Sequence, residues 1–263
     1  MTNLVPPTRV QRVRHETKRR EVQVARVENI SPHFRSVTFA GEALADFTSA
    51  SFDDHVKFIL ASPGGEPVMR DYTPRRYDRS RRELTIEFAL HGDGPAATWA
   101  ANATAGQRVI IAGPRGSFII PVDYEWHLLV GDETGLPAIA RRLEELPAGA
   151  RAVALVQVDD PADRRIFQTA ANLSVQWLAD AAGLVQAVRL LDLRAGEGYA
   201  WCAGEAGLTA TVRRVLVDEM SHDSHAIRAA AYWKRGAVAH HENIEPAAYF
   251  SDRGRPFQSD RGR

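Results

Sequence analysis

In the first half of the chain, hydrophobic and polar positions alternate. Val22, Val24 and Val27 stand among polar residues, and Phe34 to Phe39 repeats the alternation after the turn Asn29-Ile30-Ser31-Pro32. A period of two predicts strands with one buried face. His55 to Leu60, Met69 to Tyr77, Arg82 to Leu90 and Gln107 to Ala112 continue the series. Gly41, Pro63-Gly64-Gly65 and His91-Gly92-Asp93-Gly94-Pro95 punctuate it. Ala43 to Phe47 is expected as a short helical turn, and Pro95 to Ala101 as a short helix. Short strands between turn signals predict an antiparallel six-stranded β-barrel.

The pattern changes near Pro121 to Tyr124. Short apolar runs at His127–Val130, Val153–Val158, Leu173–Leu178, Tyr199–Cys202 and Ala226–Trp233 now alternate with helical stretches at Ala138–Leu146, Leu184–Leu191 and Thr209–Met220. Strand–helix alternation predicts a parallel α/β domain. The expected division is a disordered basic lead over 1–16, the barrel over 17–122, the α/β domain over 123–240 and a flexible tail over 241–263.

Candidate chemistry concentrates in Arg70-Asp71-Tyr72-Thr73. On a strand, Arg70 and Tyr72 share a face. The first offers a bidentate cation for phosphate, the second a flat ring with a polar tip. Thr73 adds a hydroxyl. A ligand with a diphosphate and an aromatic ring system, such as a flavin dinucleotide, would use all three. The alternative is an exposed basic edge strand. The turn from His91 through Gly94 and Pro95 to Ala96, with Thr98 after it, follows a strand and opens a helix, where a phosphate can approach backbone N–H groups. Asp132-Glu133-Thr134 and Ala203-Gly204-Glu205 occupy strand ends of the α/β half, where open parallel sheets bind ligands.

Composition narrows the classes. The 263 residues are 44% hydrophobic and 25% charged, with 33 basic and 33 acidic residues. That balance gives no support to nucleic-acid binding. No apolar run is long enough to span a bilayer and no apolar signal core opens the chain, so no membrane insertion is expected. The one cysteine, Cys202, excludes an internal disulfide and a cysteine-held cluster and fits a cytoplasmic setting. It is expected to be a packed small residue, as Trp126 and Trp177 are expected in the core. His222, His225, His240 and His241 lack a ligand spacing, and no metal site is expected.

These motifs together resemble the siderophore-interacting protein family of the ferredoxin–NADP reductase-like superfamily. The resemblance spans roughly residues 17 to 240 and rests on His55-Val56-Lys57, Arg70-Asp71-Tyr72-Thr73, His91 to Ala96 with Trp99-Ala100, Gly113 to Ser117, Gly131 to Thr134 with Pro137 to Ile139, Trp201 with Ala203-Gly204-Glu205, and Tyr232-Trp233 with Gly236. It implies an FAD-binding barrel joined to an NAD(P)H-binding domain, acting as a ferric-siderophore reductase in the cytoplasm. Arg70 would hold the FAD diphosphate, Tyr72 would pack on the isoalloxazine, and Thr73 would bond near its ring or ribityl chain. His91 and its turn, with Thr98, would embrace the rest of the FAD. Asp132-Glu133-Thr134 and Ala203-Gly204-Glu205 would line the nicotinamide side, with Trp233 beside the flavin or closing the sheet. No side chain need act as a catalytic acid or base, because the flavin carries the redox chemistry. Lys57, Arg115, Lys234 and Arg235 are candidates for docking an anionic ferric siderophore. A monomer is expected.

The electron donor is divided in the sequence. Asp159-Asp160, at the end of the second parallel strand, favours a free ribose 2′-hydroxyl and NADH. Arg164-Arg165 would instead meet a 2′-phosphate, and the resemblance leans to NADPH. Two other functions remain open at this stage. One is a reductase of the same superfamily serving another acceptor, and the other is a non-catalytic siderophore-binding protein.

Overall fold

The computed structural model describes residues 9–61, 65–90, 92, 94–193, 196–237 and 242–244. Its first half contains β1 (Gln11–Arg14), β2 (Arg19–Ser31), β3 (Phe34–Ala40), β4 (Val56–Leu60), β5 (Val68–Tyr72), β6 (Arg76–Asp78), β7 (Glu83–Ala89), helix α1 (Pro95–Ala101), β8 (Arg108–Ala112) and β9 (Gly116–Ile119). Seven of these strands form one antiparallel sheet in the order β5-β4-β8-β2-β3-β7-β6. The sheet has one strand more than expected, because the stretch from Met69 to Tyr77 divides. Pro74 has no N–H to give a ladder, so the chain leaves the sheet after Tyr72 and re-enters at Arg76. Alternating side chains build the inner face: Val22, Val24, Val37, Phe39, Val56, Phe58, Leu84, Ile86, Phe88, Val109 and Ile111 form one buried cluster. Gln11 to Arg14, expected within a loose lead, instead pair antiparallel with β9.

The second half contains β10 (Trp126–Gly131), α2 (Leu136–Glu145), β11 (Arg151–Gln157), β12 (Asn172–Leu178), α3 (Ala181–Arg189), β13 (Gly198–Glu205), α4 (Ala206–Arg214), β14 (Ile227–Trp233) and β15 (Glu242–Asn243). Five strands are parallel, in the order β12-β11-β10-β13-β14, and β15 adds an antiparallel edge. Every residue of β10 is buried, as a central strand covered on both faces requires. Glu242 and Asn243, expected in the tail, belong to this sheet. Ile244 follows, its N–H given to the Ala229 carbonyl at 2.9 Å, and the rest of the tail lies outside the described residues.

The two halves share a core. Phe34, Phe52 and Ile120 from the first pack in one cluster with Leu129, Leu136, Ile139 and Trp201 from the second. Polar bonds cross the same seam. Glu87 on β7 pairs with Arg75 and with Arg165. Buried Asp53 accepts from Trp201 Nε1 at 2.8 Å and from Arg228 Nε at 2.9 Å. Arg141 of α2 donates to Ser49 and to the Pro74 carbonyl.

Candidate active site

A cavity of about 480 Å³ opens where the two halves meet. Along β5 and its end, Met69, Arg70, Asp71, Tyr72 and Thr73 all line it. That follows from topology, because β5 is the outer strand of its sheet and offers the cavity its edge as well as a face. The Tyr72 ring is fixed from behind by Phe88, with centroids 4.4 Å apart, and by Phe58 at 5.9 Å. Burial pushes its phenol well above the ordinary value, so it stays neutral. Arg70 donates to the Met69 carbonyl at 2.9 Å and has no carboxylate partner among the described residues. Every other charge of β4 and β5 at the cavity is matched: Lys57 Nζ lies 2.7 Å from Asp71 Oδ2. A half-buried guanidinium without a counter-charge is a fitting partner for a diphosphate.

Gly94, Pro95, Ala96 and Ala97 form a neighbouring wall. A Cβ added at Gly94 would meet nothing within 4 Å, so the backbone here is open to a ligand's approach. Thr98 is exposed and lies outside the lining, its N–H given to the Gly94 carbonyl at 2.9 Å. His91 lies outside the described residues.

From the α/β half come Glu133, Thr134, Pro137, Tyr232 and Trp233. These sit at the carboxyl end of β10 and β14, beside the point where the sheet order turns back on itself. Asp132 is wholly buried behind them and acts as a clamp. Its carboxylate accepts from Thr134 N at 2.9 Å, Glu205 N at 2.8 Å and Trp233 Nε1 at 2.8 Å. Burial raises its pKa against the pull of those bonds. Gly204, at φ 149°, admits this carboxylate, since a Cβ there would lie 2.5 Å from Asp132 Oδ2. Glu205 caps α4 by accepting from Gly207 N at 2.6 Å and Leu208 N at 3.1 Å. Asp132, Ala203, Gly204 and Glu205 therefore stand behind the lining and shape it, while Glu133, Thr134 and Trp233 face the cavity.

Among the docking candidates Lys57 lines the cavity. Lys234 and Arg235 are exposed just beyond Trp233, and Arg115 is exposed on the turn before β9. Tyr232 was not expected in the site. It is half-buried, lines the cavity and hydrogen-bonds Thr73 across the seam between the halves. Glu87 was not expected either. It alternates with Glu83 and Thr85 on the polar face of β7, so its residue type did not set it apart, and its ion pairs with Arg75 and Arg165 accompany its burial.

A flavin-sized cleft between an antiparallel sheet and a parallel nicotinamide-type sheet defines a two-domain flavin reductase architecture. Sequence comparison narrows the class: the chain belongs to the siderophore-interacting protein family. The profile of the siderophore-interacting protein family matches residues 124–236, and that of the siderophore-interacting FAD-binding domain matches 23–68 and 62–118. The NADPH-dependent ferric-chelate reductase of Escherichia coli is 38% identical over 249 residues, covering 86% of this chain and 97% of that protein. The ferric vibriobactin reductase ViuB of Vibrio cholerae is 29% identical over 251 residues, covering 85% and 93%. A siderophore utilization protein from T. fusca superposes with a TM-score of 0.81 at 31% identity, over 88% of this chain and 98% of that one. Among the described residues no helix is long and apolar enough to cross a membrane.

Proposed function

We propose that this protein is an FAD-dependent NAD(P)H:ferric-siderophore oxidoreductase. The observation that carries this reading is one cavity lined by Arg70, Tyr72 and Thr73 from one half and by Glu133, Thr134 and Trp233 from the other. A flavin and a nicotinamide must meet face to face, and this seam is where the two kinds of wall meet. Bound FAD supplies the conversion of a two-electron hydride into the single electrons that iron(III) accepts. Arg70 holds the diphosphate, and Tyr72 packs against the ring system with Phe88 and Phe58 keeping its orientation. Thr73 is oriented by its bond to Tyr232. Phe34, Ala89 and Pro137 keep the cavity wall apolar, which limits water where electrons move.

The substrate is a ferric chelate, and such chelates are often anionic. Lys57 stands at the cavity with its side chain 43% exposed. Its ammonium, with the Lys234 ammonium and the Arg235 guanidinium beyond Trp233, attracts an anionic chelate to this face. Iron(II) binds hard oxygen ligands less tightly than iron(III), so reduction frees the metal. The reaction fits a cytoplasmic setting and a monomer.

The test is anaerobic. FAD-loaded protein is mixed with a reduced nicotinamide, then with a ferric siderophore and an iron(II) trap. Oxidised flavin absorbance at about 450 nm should bleach, then recover as trapped iron(II) appears. Bleaching without iron(II) would assign another acceptor, and an absence of bound flavin would leave a siderophore-binding role.

A further inference from the structure

We propose that a groove between the two halves, which meets the flavin cavity at Glu87, is a second ligand site that takes a phosphate monoester and bridges the halves. None of its arginines lines the flavin cavity, so the site stands apart from the reductase reading.

The first observation is charge. The groove has a volume of about 600 Å³. Arg75 and Arg76 line it from the first half, Arg164 and Arg165 from the second. Two carboxylates answer these four cations. Glu87 pairs with Arg75 and Arg165, and Glu144 pairs with Arg75 and Arg76. Burial pushes the Glu144 carboxyl up, but the two arginines outweigh it and hold the group below its ordinary value, so it counts as a charge. Arg26 and Glu28, both exposed on β2, cancel. The five arginines of the lining therefore exceed its three glutamates by two.

The second observation is unused donors. The Arg164 side chain is exposed and has no hydrogen-bond or ion-pair partner among the described residues. The Arg165 side chain is only 10% exposed, and its Nη1 is held by Glu87. Its Nε and Nη2 are buried with no hydrogen-bond partner. The Phe34 ring lies 4.5 Å from the guanidinium carbon, but a ring face does not take N–H groups that point outward in the guanidinium plane. Buried donors of this kind call for an acceptor. The Thr38 and Thr85 hydroxyls share one hydrogen bond of 2.9 Å, which leaves one O–H of the pair free to give.

A phosphate dianion answers an excess of two charges, and its oxygens suit the planar forks of arginine. A bare phosphate would fill little of the groove, whose volume is that of a small-molecule site. The organic part of an ester would meet Ile166, which is 93% exposed, and Phe167, stacked on Trp177 at 5.7 Å. Held by arginines of both halves, the anion would add to the ion pairs that already join them.

The test is calorimetry on the protein with FAD present, using inorganic phosphate, adenosine 5′-monophosphate and adenosine 2′,5′-bisphosphate at fixed ionic strength. A single saturable site is expected. Arg164→Gln and Arg76→Gln should each weaken it by about tenfold or more, the worth of a charge-assisted hydrogen bond. Both side chains are exposed, so an unchanged melting temperature separates lost binding from lost fold. Arg70→Ala, in the flavin cavity, should leave the affinity unchanged. A bisphosphate at least about tenfold tighter than the other two would identify the ligand as the 2′-phosphate end of a nicotinamide donor, and Arg164→Gln should then raise KM for NADPH and not for NADH. A bisphosphate no tighter than the monophosphate would identify a free phosphate compound. No saturable binding of any of the three would overturn the proposal. So would binding that Arg164→Gln and Arg76→Gln leave intact, or that Arg70→Ala abolishes. Flavin bleaching by nicotinamide, followed alongside, decides the reductase reading separately.

Discussion

Arg70 is the residue whose removal most directly tests the flavin site. Its guanidinium donates to its neighbour's carbonyl and pairs with no carboxylate among the described residues, so the fold does not depend on its charge. Arg70→Ala should therefore keep the thermal stability of the apoprotein. It should weaken FAD binding by about 1.5–3 kcal/mol, the worth of a charge-assisted hydrogen bond, or roughly tenfold to a hundredfold. Titration of apoprotein with FAD, read by flavin fluorescence, measures this. An unchanged affinity would move the diphosphate away from β5. Asp132 is the opposite kind of residue. It lies behind the lining and gathers Thr134, Glu205 and Trp233, so its effect on any ligand passes through the placement of Trp233. Residue types alone marked Arg70 and Tyr72, because a cation and an aromatic ring in alternation carry their chemistry with them. They did not separate Asp132, which supports, from Glu133, which faces the cavity, since adjacent acids on one turn differ only in direction.

At the scale of elements, alternation located the strands of the antiparallel sheet and short apolar runs located the parallel ones. Three strands escaped: β1, β9 and β15. β1 reads Gln-Arg-Val-Arg and is exposed along its length. It pairs only with β9 in a two-stranded ribbon, so it has no buried face to write into its sequence. β15 has two residues and depends on β14 for its bonds. The contact of β10 with α2 carries a pH prediction. His127 on β10 is 2% exposed, and its Nε2 lies 3.2 Å from the Val122 carbonyl. Burial, with the Arg142 guanidinium of α2 beside it, pulls its pKa from 6.5 to about 4. The unfolded chain therefore binds a proton between those values and the folded chain does not. Stability falls as pH drops from about 6.5 toward about 4, by up to about 3 kcal/mol from this group. His127→Gln keeps a donor for Val122 and removes the titration. In urea unfolding compared between about pH 7 and about pH 4.5, the variant should lose less stability than the natural protein. Equal losses would place the acid sensitivity elsewhere.

The whole molecule is organised by the seam between its sheets, because the cavity exists only while the two halves stay aligned. A shared apolar core supplies most of the contact, but Asp53 fixes the geometry. It precedes β4 in the first half and binds Trp201 on β13 and Arg228 on β14 in the second. Asp53 is 7% exposed and the Arg228 side chain 12% exposed, so neither charge is well solvated. Removing the carboxylate leaves a buried guanidinium without its main counter-charge, which costs about 3–5 kcal/mol. Asp53→Ala should lower stability by that order. It should also act on function in a particular way. Arg70, Tyr72 and Gly94 all belong to the first half, so FAD affinity should change little. Glu133, Thr134 and Trp233 belong to the second, so reduction of bound flavin by nicotinamide should slow at least about tenfold, as misalignment at a reacting centre does. Asp53→Asn, which retains an acceptor for Trp201, should recover part of the rate. If Asp53→Ala weakens FAD binding while flavin that does bind is reduced at the natural rate, alignment of the halves is held by the apolar core alone.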